Sequence, residues 1–272
     1  MFRGHPELHA PILKEVHYWD AIRPPHARWY PRKAGPELAW FRGASMWERV
    51  RRYHLRALVN GRAVERLLEA RTELYEAPSP DHASYAALLL DGSRPGQVVV
   101  DNTPGYSLLG SDTFAEMAGV ADARFLFVMR DPVARLWSGI KHRMRLGIDA
   151  ATVAPEAVAA RFAAAVATPD DADVARSDYG RTIAALEAAV PESRRLYLFH
   201  ETLFSQAAYD RVTDFLGVAR GRARPGREVN RSRATYVGPD ATALARARER
   251  LAPVYDFVRG RFGREVPATW MQ

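Results

Sequence analysis

The sequence contains no cysteine. That excludes disulfides, thiolate metal ligands and cysteine nucleophiles, and nothing in it calls for an oxidising compartment, so a cytoplasmic location is expected. Lysine is almost as scarce: of 39 basic residues, only Lys14, Lys33 and Lys141 are lysines. No apolar run approaches the roughly 18 to 20 residues of a membrane span, and the opening MFRGHPELHA lacks the apolar core of a signal peptide. The chain therefore reads as soluble, with no membrane partner. Internal repeats are absent, and so is any GKS, GKT or GTT tripeptide. Without a Walker lysine, a kinase-like nucleotide enzyme is disfavoured.

What is present is an ordinary globular composition. The 272 residues are 47% hydrophobic and 26% charged, enough to bury a core in one large domain spanning 1–272. The net charge of +7 and pI near 9.8 suggest anionic partners, and arginine carries almost all of it. The planar guanidinium fork suits phosphate and sulfate because it can bond two oxygens at once. A solvated basic surface has the same composition, so placement must separate the two readings.

Apolar runs at 97–101 (QVVVD), 125–129 (FLFVM) and 196–199 (LYLF) read as strands, the second as a buried one. Helical periodicity covers 46–60, 62–76, 132–146, 155–167, 177–190, 206–216 and 241–261. Few strands among many helices, without hairpins, predict an α/β fold with a mainly parallel sheet flanked by helices. Proline-rich 23–36 and arginine-rich 219–233 are expected loops. His5 and His9 have helical metal-ligand spacing, but Pro6 disfavours a helix interior there and the zincin order is lacking, so no metal site is expected.

One segment concentrates the chemistry: RFLFVMRDPVARLWSGIKHR, residues 124–143. A strand ends, Arg130 follows, Asp131 can cap a helix and Pro132 fits its first position. In open α/β sheets ligands sit beyond the carboxyl ends of strands, and a helix N-terminus with free N–H groups favours an anion. Ser138, at i+3 from Arg135, can add a hydroxyl to an anion held by Arg130. The competing reading pairs Arg130 with a helix-end carboxylate and gives Ser138 no role.

This segment resembles the 3′-phosphate-binding motif of sulfotransferases that use 3′-phosphoadenosine 5′-phosphosulfate (PAPS), in which an Arg-Asp-Pro strand end and a serine eight residues after the arginine hold the 3′-phosphate. Further matches occur in the family's order: HPELHAPILKEVHYWD (5–20), VDNTPGY (100–106), SDYGRTIAALEAAVPESRRLYLFHETLF (177–204) and DFLGV (214–218). The resemblance to the heparan-sulfate and bacterial carbohydrate branch implies a P-loop-NTPase-like sheet and sulfuryl transfer from PAPS to a hydroxyl, without a metal. It assigns Arg130 and Ser138 to the 3′-phosphate, Glu15 as general base with His17 beside it, and Tyr179 to the adenine. A core tyrosine with a satisfied hydroxyl reads equally well at 179. If the Glu15 segment is extended, Glu15 and His17 point to one side. Arg231 and Arg233 correspond to a late basic loop over the 3′-phosphate, while Asn102 stands where several relatives carry lysine. The acceptor is a small molecule or glycan, with Trp29 to Trp47 as cleft candidates.

The family's Lys-x-Gly-Thr-Thr turn for the 5′-phosphosulfate, with the strand before it, has no counterpart in the sequence. The expectation is a sulfotransferase domain lacking its first strand at the N-terminus. The alternative is a catalytically inactive, truncated relative that binds only the 3′-phosphoadenosine end. A basic nucleic-acid-binding protein is less favoured, because aromatic residues do not interleave with the basic run at 219–233.

Overall fold

The computed structural model describes residues 4–23, 31–53, 60–144, 153–223 and 239–271. They group into two compact units, Phe2–Leu109 and Gly110–Gln272.

In the first unit, strand β1 (Leu8–His9) pairs in parallel with β2 (Val98–Val99). Between them run helices α1 (Tyr18–Ala21), α2 (Pro31–Gly43), α3 (Met46–Tyr53), α4 (Gly61–Glu76) and α5 (His82–Leu90). The expected loop at 23–36 is corrected in its described part: from Pro31 the chain is helical, despite Pro36 inside the helix. Packing decides against the local breaker signals. Ala34 and Phe41 are buried, and α2 is tied to α4 by Arg71 to Glu37 at 2.6 Å and by Arg42 to Glu65 and Glu69. The core is aromatic: Tyr18 stacks on Tyr85 with centroids 4.5 Å apart, and Trp19 stacks on His82 at 4.9 Å.

In the second unit, β3 (Phe125–Met129) and β4 (Arg195–Phe199) form a parallel ladder from Phe125↔Arg195 to Met129↔Phe199. The helices are α6 (Ser111–Val120), α7 (Pro132–Met144), α8 (Pro155–Ala167), α9 (Ala172–Ala175), α10 (Tyr179–Ala189), α11 (Gln206–Leu216) and α12 (Ala241–Phe262). Met129, Leu136, Ile140, Phe162, Ile183 and Leu251 lie in its core. The buried strand expected at 125–129 is buried on one face only. Side chains alternate across a strand, so Leu126 and Val128 project the other way and remain 38% and 40% exposed.

The α/β class and parallel pairing agree with the sequence reading, although the described residues form two separate two-stranded ladders. No described helix is long and apolar enough to cross a membrane.

Candidate functional site

In the second unit, the site is the turn from β3 into α7. Its backbone is held from several sides. His200 N–H donates to the Met129 carbonyl at 2.7 Å, and the Tyr179 hydroxyl donates to the Arg130 carbonyl at 2.6 Å. Asp131 N–H donates to Glu201 Oε1 at 2.9 Å, while Asp131 Oδ1 accepts from Ala134 N–H at 2.8 Å and Oδ2 from the Tyr255 hydroxyl at 2.8 Å. The sequence expectation of free N–H groups at this helix start is corrected in part: the N–H groups of Asp131 and Ala134 are already taken by the Glu201 and Asp131 carboxylates.

Those carboxylates accept from the backbone and from the Tyr255 hydroxyl, and neither bonds the Arg130 guanidinium. Its guanidinium is half-buried and makes no hydrogen bond or ion pair with any described residue. The half-buried Ser138 hydroxyl likewise has no partner among them. The pairing of Arg130 with a helix-end carboxylate is not what forms. His200 registers the free charge: burial, and then the Arg130 cation, hold its imidazole pKa below the ordinary value.

Tyr179 is 2% exposed, edge-on to Phe127 and tilted against Trp270. Burial raises its phenol pKa, so it stays a hydrogen-bond donor, and the bond to the Arg130 carbonyl engages it as a support behind the arginine. Arg231 and Arg233 lie outside the described residues, as does Trp29.

In the first unit, Glu15 and His17 do meet, but not through an extended segment. Both adopt positive φ, 52° and 54°, in the left-handed region that non-glycine residues rarely occupy. His17 then bridges two carboxylates, Nε2 lying 3.3 Å from Glu15 Oε2 and Nδ1 2.9 Å from Asp20 Oδ2. Asp20 is 1% exposed, whereas the Glu15 side chain is 47% exposed. The arrangement is a buried acid orienting an imidazole, which in turn positions an accessible carboxylate. Burial lowers the His17 pKa, but the bonds to Asp20 and Glu15 prevail and hold it above the ordinary value.

Asp20 was not singled out from the sequence. Its signal is the His17-x-x-Asp20 spacing at the start of α1. Gly105, in the quoted VDNTPGY, was equally unmarked as a support. A Cβ there would stand 2.5 Å from Asp20 Oδ2 and 3.3 Å from the His17 ring. Asp101, four residues earlier, accepts from the Tyr85 and Tyr106 hydroxyls at 2.8 Å each and from Thr103 Oγ1 at 2.7 Å, which pins this turn. Among the described residues no group of three or more His, Asp or Glu is arranged to hold a metal ion.

No family model and no curated protein matches the sequence. Among solved structures, the fold is similar to the crystal structure of a sulfotransferase from Alicyclobacillus acidocaldarius. The TM-score is 0.62 at 16% identity, over 98% of this chain and 90% of that one. That likeness establishes the fold, a mixed α/β architecture with parallel strand pairs.

Two outcomes follow. Gly105→Ala forces a methyl into the Asp20 carboxylate and is expected to destabilise the protein by about 1–3 kcal/mol in urea unfolding, with the His17 pKa displaced in NMR titration. The second concerns pH. Because the folded His17 pKa lies above the 6.5 of a free imidazole, its two carboxylate bonds contribute stability that is fully present below that value and is lost as pH rises through the folded pKa. Unfolding free energy measured from pH 6 upward should decline through this window, and His17→Gln should flatten the decline.

Proposed function

We propose that this protein binds a 3′-phosphoadenosine nucleotide through Arg130 and Ser138 and transfers a sulfuryl group from PAPS to a hydroxyl acceptor, a carbohydrate being the preferred class. The observation that carries the reading is the Arg130 guanidinium at the carboxyl end of β3 and the Ser138 hydroxyl on the helix that follows, neither with a partner among the described residues. A half-buried guanidinium without a counter-charge is costly unless an anion completes it. The sulfotransferase-type fold and the ordered sequence motifs agree with a phosphate as that anion.

The residues present fit the 3′ end of such a nucleotide: Arg130 supplies a planar double donor and Ser138 a rotatable one. Tyr179, as the support of the Arg130 backbone, fixes the guanidinium's origin, and Arg231 and Arg233 are further cationic candidates. When bound, PAPS supplies an activated sulfuryl group on a phosphate leaving group. Glu15 takes the acceptor hydroxyl's proton, held by His17, whose charged form is maintained by Asp20.

Calorimetry with 3′-phosphoadenosine 5′-phosphate tests the binding half. Arg130→Ala should weaken the complex by about 2–4 kcal/mol and Ser138→Ala by about 1 kcal/mol, with adenosine 5′-phosphate binding far more weakly than the 3′-phosphorylated nucleotide. Equal affinity of wild type and Arg130→Ala would remove the assignment. Turnover with labelled PAPS and a panel of glycans tests the other half: Glu15→Gln should lower it by about 100-fold while leaving nucleotide affinity nearly unchanged. Nucleotide binding without turnover would favour the inactive alternative raised by the absent Lys-x-Gly-Thr-Thr turn.

A further inference from the structure

A second concentration of arginine lies further along α7. Arg135 folds over Gly139 and donates through Nη1 to the Asp173 carbonyl at 2.8 Å. Arg143 pairs with the Asp173 carboxylate. From α8, Arg161 Nη2 reaches Asp173 Oδ2 at 2.9 Å and Asp171 Oδ2 at 2.7 Å. Arg176 adds a fourth guanidinium, and its charge opposes protonation of both Arg135 and Arg143.

The balance is four guanidiniums against two carboxylates. Asp170 next door is exposed and pairs with none of them. The adjoining residues 145–152, RLGIDAAT, contain one arginine and one aspartate and add no net charge. Burial first, and then mutual repulsion, pull the Arg135 and Arg143 pKa values down to about 10. Arg176 Nε is shut off from solvent without a hydrogen-bond acceptor. A network built only to neutralise the 2% exposed Asp173 needs one or two of these cations, so the surplus asks for another explanation. Arg143 and Arg161 are 32% and 37% exposed at the side chain, which gives a ligand access.

We propose that Arg135, Arg143, Arg161 and Arg176 form a second oxyanion site, for a sulfate or phosphate group, distinct from the one at Arg130. Arg135 and Gly139 flank Ser138 in the sequence of α7, so the two sites are neighbours on one helix and differ in the arginines that hold the anion. The bound group takes the surplus charge. The site does not depend on the nucleotide reading, because its residues and charge balance are separate from Arg130 and Ser138.

The test is calorimetric titration of the full chain with inorganic sulfate at constant ionic strength in chloride, in wild type and Arg130→Ala. Glucose 6-sulfate as a second titrant tells a sulfate ester from the free ion. Sulfate affinity should be the same in Arg130→Ala within about twofold, fall about tenfold or more in Arg176→Gln, and rise about threefold or more in Asp171→Asn, which keeps the cap on Asp173 N–H and removes a competing charge. A purely structural network predicts no gain in Asp171→Asn. Sulfate binding that is lost in Arg130→Ala, or that does not tighten in Asp171→Asn, overturns the proposal. If Arg176→Gln fails to fold by circular dichroism, the Asp171→Asn result decides alone. Failure here leaves Arg130 and the nucleotide untouched, and loss of nucleotide binding in Arg130→Ala leaves this site standing.

Discussion

The turn at the end of β3 depends on one division of labour: backbone groups are satisfied by Tyr179, His200, Glu201 and Asp131, so that the Arg130 side chain satisfies none of them. Were Glu201 or Asp131 free, either would be a nearby partner for the guanidinium, and an anion would have to displace it. Each is instead engaged by an N–H group. Asp131 is engaged twice, because the Tyr255 hydroxyl from α12 takes its second oxygen. The helix start is therefore completed from within the fold, and the Arg130 guanidinium has no partner among the described residues.

The contrast with other arginines makes the point sharper. Arg194 is absorbed by the carbonyls of Ala118, Ala121 and Ala123, Arg71 by Glu37, and Arg220 by Asp214. These are the ordinary fates of a guanidinium in an arginine-rich protein, and none asks for a ligand. Composition could not tell such residues from Arg130, since all contribute equally to a net charge of +7. Partner lists can.

Much of the second unit was legible because its signals are local. The run FLFVM, the capping Asp131 and Pro132 fix β3 and the start of α7, and α8 and α11 fall at the expected 155–167 and 206–216. The first unit was harder. β2 falls within the strand read at 97–101, but β1 is two residues long and carries no periodicity, and α2 contains Pro31, Gly35 and Pro36, all read as loop residues, yet packing against α4 makes it a helix. At the site, Glu15 and His17 were visible by resemblance but their backbone was not. A left-handed conformation at two non-glycine residues has no signature in single-residue propensities, and neither has the distant Gly105 that makes room for it.

That strained stretch is where the physical argument goes furthest. Two left-handed residues cost of order 1–3 kcal/mol each, and a carboxylate buried at 1% exposure costs more unless paired. An extended chain would avoid the first cost and an asparagine at position 20 much of the second. What the arrangement gains is an imidazole bonded on both nitrogens, with Asp20 fixed in the core and Glu15 at the surface. Protonated on both sides, His17 can donate to both carboxylates at once, and it joins the buried Asp20 to the accessible Glu15. The strain, the buried charge and the glycine opposite all converge on the position of one Glu15 carboxylate. Fold stability alone gives no reason for that convergence; the general-base role proposed for Glu15 supplies one.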